Sequence, residues 1–120
     1  MKIHQLPHGH DQKAMRAALH LPGIESCSKV AEMFKQVSHP SRLRIFLFLC
    51  HCEECVSDIA AAVEMSDPAV SHHLKLMKSA GLIESRREGK EVYYKAADSK
   101  QTALLHHAVE EMMEIACVRD

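Results

Sequence analysis

The sequence predicts a mainly helical domain with one small β-hairpin, and three observations predict it. Apolar residues make up 47% of the 120 residues but aromatic residues only 4%, and an apolar set of Leu, Ala, Val, Ile and Met favours helices over sheets. Apolar side chains recur at helical spacing along most of the chain from residue 26 onward. One stretch, residues 82–95, has the pattern of strand, glycine-containing turn and strand.

Two helices are predicted between residues 26 and 52. The apolar residues of the first recur at i, i+3, i+4 and i+7 and form one face; they are Val30, Met33, Phe34 and Val37. Pro40 suits the first turn of the second helix. The inner stripe of that helix is predicted as Leu43, Phe46, Leu47 and Cys50.

A short helix, a turn and a longer helix follow. Ser57 is predicted to cap the short helix over residues 58–63, and Ser66 to cap the longer helix. Asp67 is favourable at the positive end of that longer helix. Gly81 suits a left-handed stop after Ala80. This order forms a helix-turn-helix, whose second helix can enter the major groove of DNA.

A hairpin and a final helix complete the domain. The predicted strands, residues 82–86 and 91–95, flank a turn over residues 87–90, and the tip of this hairpin carries Arg86, Arg87 and Lys90. The final helix is predicted over residues 99–118. Its apolar stripe is Leu104, Leu105, Ala108, Met112, Ile115 and Ala116. The order of elements predicts a winged helix-turn-helix with about five helices over residues 25–120, preceded by a flexible, His-containing N-terminal arm over residues 1–24.

The distribution of charge and the number of cysteines limit which partners the chain can bind and in which compartment it is expected. The formal net charge of −1 does not by itself indicate nucleic acid, but residues 66–95 hold six basic and four acidic side chains. Residues 96–120 hold two basic and five acidic ones. Five cysteines, a polar start and no apolar run of about 18 residues predict a protein of the reducing cytoplasm without a membrane span.

The outer face of the second helix of the pair carries small or hydrogen-bonding groups and cations, which suit base edges and phosphates. The alternative is an ordinary helical domain with a solvated polar face. The basic hairpin that follows directly favours DNA binding, because the parts occur in winged-helix order.

Four segments resemble the ArsR/SmtB family of metal-responsive repressors, over about residues 27–116. They are FKQVSHPSRLR at 34–44, ECVSDIA at 54–60, MSDPAVSHHLKL at 65–76 and AGLIESRREGKEVYY at 80–94. The resemblance implies a homodimer held by the C-terminal helix, a five-helix winged fold, and repression at a double-stranded DNA operator that an inducer relieves.

The resemblance also implies which residues contact DNA. Those that match the family's recognition helix and wing are Ser66, Ala69, Ser71, His72, His73, Arg86, Arg87 and Lys90. We expect Ser71, His72 and Lys75 to face the groove, whereas His73 has the alternative of packing or capping locally.

A cysteine-rich segment is the first candidate inducer site. Cys52 and Cys55 form a C-x-x-C followed by Asp58, and thiolates at this spacing can converge on one soft cation. Such a pair supplies two of four ligands, so His8 and His10 are candidate partners. Cys50 is a further candidate, although a thiol on an apolar stripe also suits the core.

In some members of the family, an N-terminal arm closes over a metal site at the first helix of the helix-turn-helix. The resemblance places Cys55 and Asp58 at the positions of the Cys and Asp ligands of that site. The arm of this chain has no cysteine. Mixed sulfur and nitrogen donors favour Zn(II), Cd(II) or Pb(II) as the inducer over Mg(II) or Ca(II).

Two other sensor sites have less support. The family's zinc site in the last helix falls on Asp98, Lys100, Glu111 and Glu114. Both histidines of that site are missing, which argues against a standard site there, although His107 leaves a variant site open. Cys27 is predicted to precede the first helix of the domain, and Cys117 to end the last one. The two are candidate redox thiols if one of them has a low pKa.

Three functions follow from these patterns. The first is a repressor that a soft or borderline metal ion releases from its operator. The second is a repressor of the same fold that responds to thiol oxidation or persulfide. The third is a cytosolic metal-buffering protein that does not bind DNA. No set of nucleophile, base and orienting group, and no glycine-rich phosphate loop, indicates an enzyme.

Overall fold

The computed structural model describes residues 12–116. Its elements, in chain order, are α1 (Gln12–Leu19), α2 (Ile24–Val37), α3 (Pro40–Leu49), β1 (Glu54–Cys55), α4 (Val56–Val63), α5 (Asp67–Ser79), β2 (Ile83–Glu88), β3 (Glu91–Ala96) and α6 (Lys100–Ala116). The chain divides into two compact units between Ala31 and Glu32. The predicted arm boundary at residue 24 stays a prediction.

The second unit holds the hydrophobic core, and the helix-turn-helix pair supplies much of it. The predicted inward residues of this pair are all buried; they are Ile59, Ala60 and Val63 of α4 and Val70, Leu74 and Met77 of α5. In α3 the buried apolar residues are Ile45, Phe46 and Leu49, whereas Leu43, Leu47 and Cys50 are only half-buried. All four residues of the predicted stripe pack on the core, but the prediction missed Ile45 and Leu49, because α3 packs against α4, α5 and β3 rather than against one neighbour.

Local capping explains where α5 begins and ends. The Ser66 side chain accepts a hydrogen bond from the backbone N–H of Ala69 at 3.3 Å, as an N-cap does. Gly81 ends the segment with a φ of +79°, which glycine adopts without strain. Both features were predicted.

The start of α4 differs from its prediction. The N-cap is Cys55, which makes no side-chain capping hydrogen bond. The Ser57 hydroxyl instead donates to the Asp67 carboxylate at 3.0 Å. The predicted cap at Ser57 was therefore wrong, because α4 begins at Val56 and Ser57 lies inside its first turn.

The sheet has three antiparallel strands in the order β1–β3–β2. Strands β2 and β3 form the predicted hairpin, and Gly89 takes a φ of +63° in its turn. The short strand β1 was not predicted, since two residues carry no readable alternation; it pairs Glu54 with Tyr94 and Cys55 with Tyr93. The cysteine segment is thereby attached to the hairpin.

Among residues 12–116 the structure has no helix that is both long enough and apolar enough to cross a membrane.

Candidate nucleic-acid interface and metal-ligating side chains

Helix α5 presents one face to the core and a polar face to solvent. Val70, Leu74 and Met77 are buried, whereas His72 and Lys75 are exposed; Ser71 is exposed beside them, as is the N-cap Ser66, while Ala69 is half-buried. Within residues 12–116 the Lys75 ammonium makes no ion pair. The outer face therefore offers hydroxyl, imidazole and ammonium groups of the kind that contact bases and phosphates.

His73 is placed differently from its neighbours on α5. It is buried, and its Nδ1 lies 3.2 Å from Nη1 of Arg42, which also donates through Nε to the Gln36 carbonyl at 2.8 Å. A guanidinium can only donate, so Nδ1 is the acceptor of a neutral imidazole. Burial, then the charge of Arg42 and the neighbouring His39 and His72, lowers the pKa of His73. This is the local packing that the sequence left open for His73.

The three cations of the hairpin are not equivalent. Arg86 is paired with Glu53 at 3.0 Å and with Glu88 at 2.8 Å, and its guanidinium lies 4.9 Å from the centre of the Tyr93 ring. These carboxylates raise the pKa of Arg86 above its ordinary value and pair with its charge. Arg87 and Lys90 are exposed; neither has an ion pair in the described part of the chain.

Side-chain hydrogen bonds connect α5 to its neighbours at both ends. Near its C-terminus the Lys78 ammonium donates to the Ser85 hydroxyl of β2 at 2.7 Å. At its N-terminus Asp67 accepts from Ser57 of α4. The helix, the hairpin and the start of α4 are thus connected by specific side-chain contacts.

The predicted thiol site is only partly assembled. The Cys55 thiol lies 3.6 Å from Oδ2 of Asp58, across the first turn of α4. The Cys52 thiol donates to the Phe48 carbonyl at 3.3 Å, and burial together with the charge of Glu54 raises its pKa. Among residues 12–116, Cys52 does not form a three-ligand group with Cys55 and Asp58.

The remaining predicted thiols and histidines are separate from this pair. Cys50 is half-buried, and burial, followed by the nearby Glu110 carboxylate, raises the pKa of its thiol to about 11. Such a thiol is a poor nucleophile at neutral pH. Cys27 is exposed. His8, His10 and Cys117 lie outside the described residues.

A group of metal-ligating side chains was missed by the sequence reasoning. His51, His106 and Glu110 bring their ligand atoms within 4.8 Å of one another. The i, i+4 spacing of His106 and Glu110 on a helix was a readable signal. Nothing in the sequence indicated that His51, which follows α3, would join them.

Known proteins are similar to this chain in sequence and in fold. Residues 39–85 match the family described as bacterial regulatory protein, arsR family. A transcriptional repressor SmtB homolog from Synechocystis sp. is 32% identical over 114 residues, which cover 95% of this chain and 86% of that protein. A cadmium resistance transcriptional regulatory protein CadC homolog from Staphylococcus aureus is 34% identical over 110 residues, which cover 91% of this chain and 90% of that protein.

A solved structure agrees with these relatives. It is the solution NMR structure of a homodimeric winged helix-turn-helix DNA-binding domain from Mycobacterium bovis, with a TM-score of 0.68 and 31% identity, covering 90% of this chain and 91% of that one. The predicted fold class and family resemblance are therefore confirmed. The chain belongs to the ArsR/SmtB family of bacterial regulatory proteins, and it is a DNA-binding transcriptional repressor rather than an enzyme.

Proposed function

We propose that the chain is a homodimeric repressor that a cation of the zinc, cadmium and lead class releases from its operator. The observation that carries this proposal is the approach of the Cys55 thiol to the Asp58 carboxylate, 3.6 Å apart, at the start of α4. That point is connected to both elements that we propose to contact DNA, α5 and the hairpin.

The chemistry of the two donors fits such a cation. Thiolate sulfur and carboxylate oxygen both bind zinc, and a thiolate shifts preference toward softer ions such as Cd(II) and Pb(II). Two donors leave coordination positions open, and the sequence prediction assigns them to His8 and His10. The relative from Staphylococcus aureus is described as a cadmium resistance regulator, which supports cadmium as one inducer.

The contacts of this segment supply a route from the cation to DNA. The backbone of Cys55 pairs with Tyr93 of β3, and Ser57 donates to Asp67 in the first turn of α5. A cation that draws Cys55 and Asp58 toward further ligands would therefore move the hairpin and α5 together. A coupling of about 1–3 kcal/mol, typical of such linked sites, is enough to release a repressor.

The DNA-contacting residues in this proposal lie on α5 and at the hairpin tip. Ser71, His72 and Lys75 face the major groove, with Ser66 and Ala69 near the phosphates at the start of the helix. Arg87 and Lys90 reach the neighbouring backbone, while Arg86 positions the hairpin through Glu53 and Glu88. His73 contributes by holding Arg42 rather than by touching DNA.

A second copy of the chain is proposed to cover the exposed apolar surface of α2 and α6. Phe34, Leu104, Met112 and Ile115 are all more than half exposed. Phe34 and Met112 line an apolar groove of about 420 Å³ together with Val37, Leu105 and Val109. Monomeric proteins rarely expose such a surface, and the similar domain from Mycobacterium bovis is homodimeric. A dimer would place two recognition helices about one helical turn of DNA apart.

Operator binding in the presence of metal tests the proposal. Fluorescence anisotropy would follow labelled DNA from upstream of the chain's own gene, titrated with protein under reducing conditions, with and without Zn(II), Cd(II) or Pb(II). We expect at least one ion to weaken binding about tenfold or more. Cys55→Ser should retain DNA affinity and lose the response. Cys27→Ser is the matched control, because it removes an exposed thiol of the other unit.

Two results would contradict the proposal. One is a metal response that survives Cys55→Ser unchanged. The other is tight operator binding that ignores metal but is lost on oxidation in the presence of a chelator. The second result would instead favour the thiol-responsive repressor.

A further inference from the structure

The end of α3 and the middle of α6 bring three metal-ligating side chains to one place. Nε2 of His106 lies 3.2 Å from Oε1 of Glu110, and Nε2 of His51 lies 3.8 Å from the same oxygen. The two imidazole rings meet edge to face, with centroids 5.1 Å apart. All three ligand atoms fall within 4.8 Å of one another.

The fold fixes this arrangement from both sides. The backbone N–H of His51 donates to the Phe48 carbonyl at 3.1 Å, which holds the residue against the last turn of α3. His106 and Glu110 are one turn apart on α6, beside Leu105, which is buried in the core. The two halves of the group therefore come from elements that the core already holds together.

The spacing of the donors matches a zinc-class ion. Zinc binds imidazole nitrogen and carboxylate oxygen at about 2.0–2.2 Å, so tetrahedral ligands lie roughly 3.4 Å from one another. The two measured nitrogen-to-oxygen distances, 3.2 and 3.8 Å, are close to this value. Two imidazoles and one carboxylate also form the ligand set of open three-ligand zinc sites, in which water or another donor takes the fourth position.

A cavity beside the three side chains gives solvent access to them. The Cys50 thiol lies near enough to Glu110 for the carboxylate charge to raise its pKa, and Cys50 and His106 line the same cavity of about 310 Å³. The site is therefore open to solvent on one side, and a thiol stands near the three ligands.

We propose that His51, His106 and Glu110 form a metal site for a borderline divalent cation such as Zn(II), distinct from the Cys55–Asp58 pair. Nitrogen and oxygen donors select Zn(II), Co(II) or Ni(II) over Cd(II) or Pb(II). An ion held there would join the end of α3 to α6, and so join the core of the DNA-binding unit to the helix proposed to form the dimer. This inference does not depend on the proposed response at Cys55.

Cobalt binding by the full chain tests the site, because Co(II) reports its donors in the visible spectrum. The titration uses the Cys55→Ser variant, which lacks the other proposed site. We expect one Co(II) per chain with d–d absorption, displaced by Zn(II). Replacing His106 by Gln should weaken binding at least about tenfold, the lower limit of what loss of even an outer partner costs a metal site.

Two further variants make the result decisive. His51→Gln changes an exposed residue outside any helix, where substitutions alter stability by about 0.5 kcal/mol or less, so a loss of affinity there reports the lost ligand. His107→Gln is the matched control, because His107 is the next residue on α6 and pairs with Glu111 instead. Binding that is unchanged in His51→Gln and His106→Gln, or that falls equally in His107→Gln, would overturn the proposal. Operator binding is not part of this readout, so the two proposals fail separately.

Discussion

Helices α5 and α6 are both amphipathic, but their outer faces have opposite character. Helix α5 buries Val70, Leu74 and Met77 and leaves a polar, cationic face to solvent. Helix α6 is longer, yet among its residues only Thr102 and Leu105 are buried. Large apolar side chains such as Met112 and Ile115 remain 66% and 83% exposed.

The contrast teaches that an apolar stripe in a sequence does not say which surface will cover it. The apolar stripe of α5 is covered by the chain's own core. The opposite face of the helix is polar and cationic, which suits a polyanion such as DNA. The stripe of α6 exceeds what the core can cover, so its outer face needs an apolar partner. Four changes test this difference, from the largest expected effect to the smallest.

A charge in the outer face of α6 should have the largest effect. Met112→Glu would place a carboxylate in the proposed dimer interface twice, once in each copy. Since burial of a methionine contributes about 1.5–3 kcal/mol, its loss from both copies should raise the dimer dissociation constant by about 100-fold or more. Sedimentation equilibrium measures this constant, and operator affinity should fall with it.

The control for this change is Glu114→Gln, an exposed polar position on the same helix. Circular dichroism should show that the Met112→Glu chain keeps its helices, because Met112 is exposed in the single chain. A variant that remains dimeric with unchanged affinity would mean that α6 is not the dimer surface.

Changes in the outer face of α5 should weaken operator binding without affecting assembly. His72→Ala should cost about 1–3 kcal/mol of operator binding if the imidazole reads a base edge.

Lys75→Ala should weaken binding to all sequences and reduce the salt dependence by about one counterion. Lys100→Ala removes the same charge from α6 and serves as the control; an equal loss there would show a general charge effect and contradict the groove assignment.

The cap of α5 should contribute less. Ser66→Ala removes the acceptor of the Ala69 N–H and should lower the free energy of unfolding by about 1 kcal/mol. Ser71→Ala makes the same change on the outer face, where the hydroxyl has no hydrogen bond to any described residue. This substitution should change the free energy of unfolding by less than about 0.5 kcal/mol. Urea unfolding compares the two, and equal losses would show that the cap is not what stabilises the helix.

The smallest effect is expected from the titration of His73. Because its pKa is lowered in the folded state, the unfolded chain binds a proton more readily, and stability should be lost as pH falls below the ordinary value of 6.5. His73→Asn keeps an acceptor near Arg42 but cannot titrate, so the free energy of unfolding should then vary less with pH. His107→Asn should keep the original dependence, and an unchanged slope in His73→Asn would contradict the assignment.

Much of the fold was predictable because its signals are local. Ser66 as a cap, Gly81 as a stop and the hairpin around Gly89 depend on residues close in sequence, and all three were confirmed. The family resemblance was equally readable, and membership in a repressor family argues against the alternative of a metal-buffering protein that does not bind DNA.

The predicted sites were less completely readable. The sequence grouped Cys52 with Cys55, yet Cys52 turns back to the Phe48 carbonyl and Cys55 meets Asp58. It also treated the hairpin arginines alike, whereas Glu53, 33 positions away, holds Arg86. Whether these residues bind metal or DNA remains a prediction, as do the roles of Cys27 and of Cys117, His8 and His10.

The sequence by itself determined the order of the helices from α2 to α6, the hairpin between α5 and α6, the capped recognition helix and the family, because short-range spacing and local hydrogen bonding carry that information. Only the tertiary structure decided which polar groups meet across the core. It placed His73 against Arg42 and brought His51 to His106 and Glu110. Contacts of this kind depend on how helices that are distant in sequence pack together. The apolar pattern of one helix shows which of its faces is buried, but it does not show which other element covers that face.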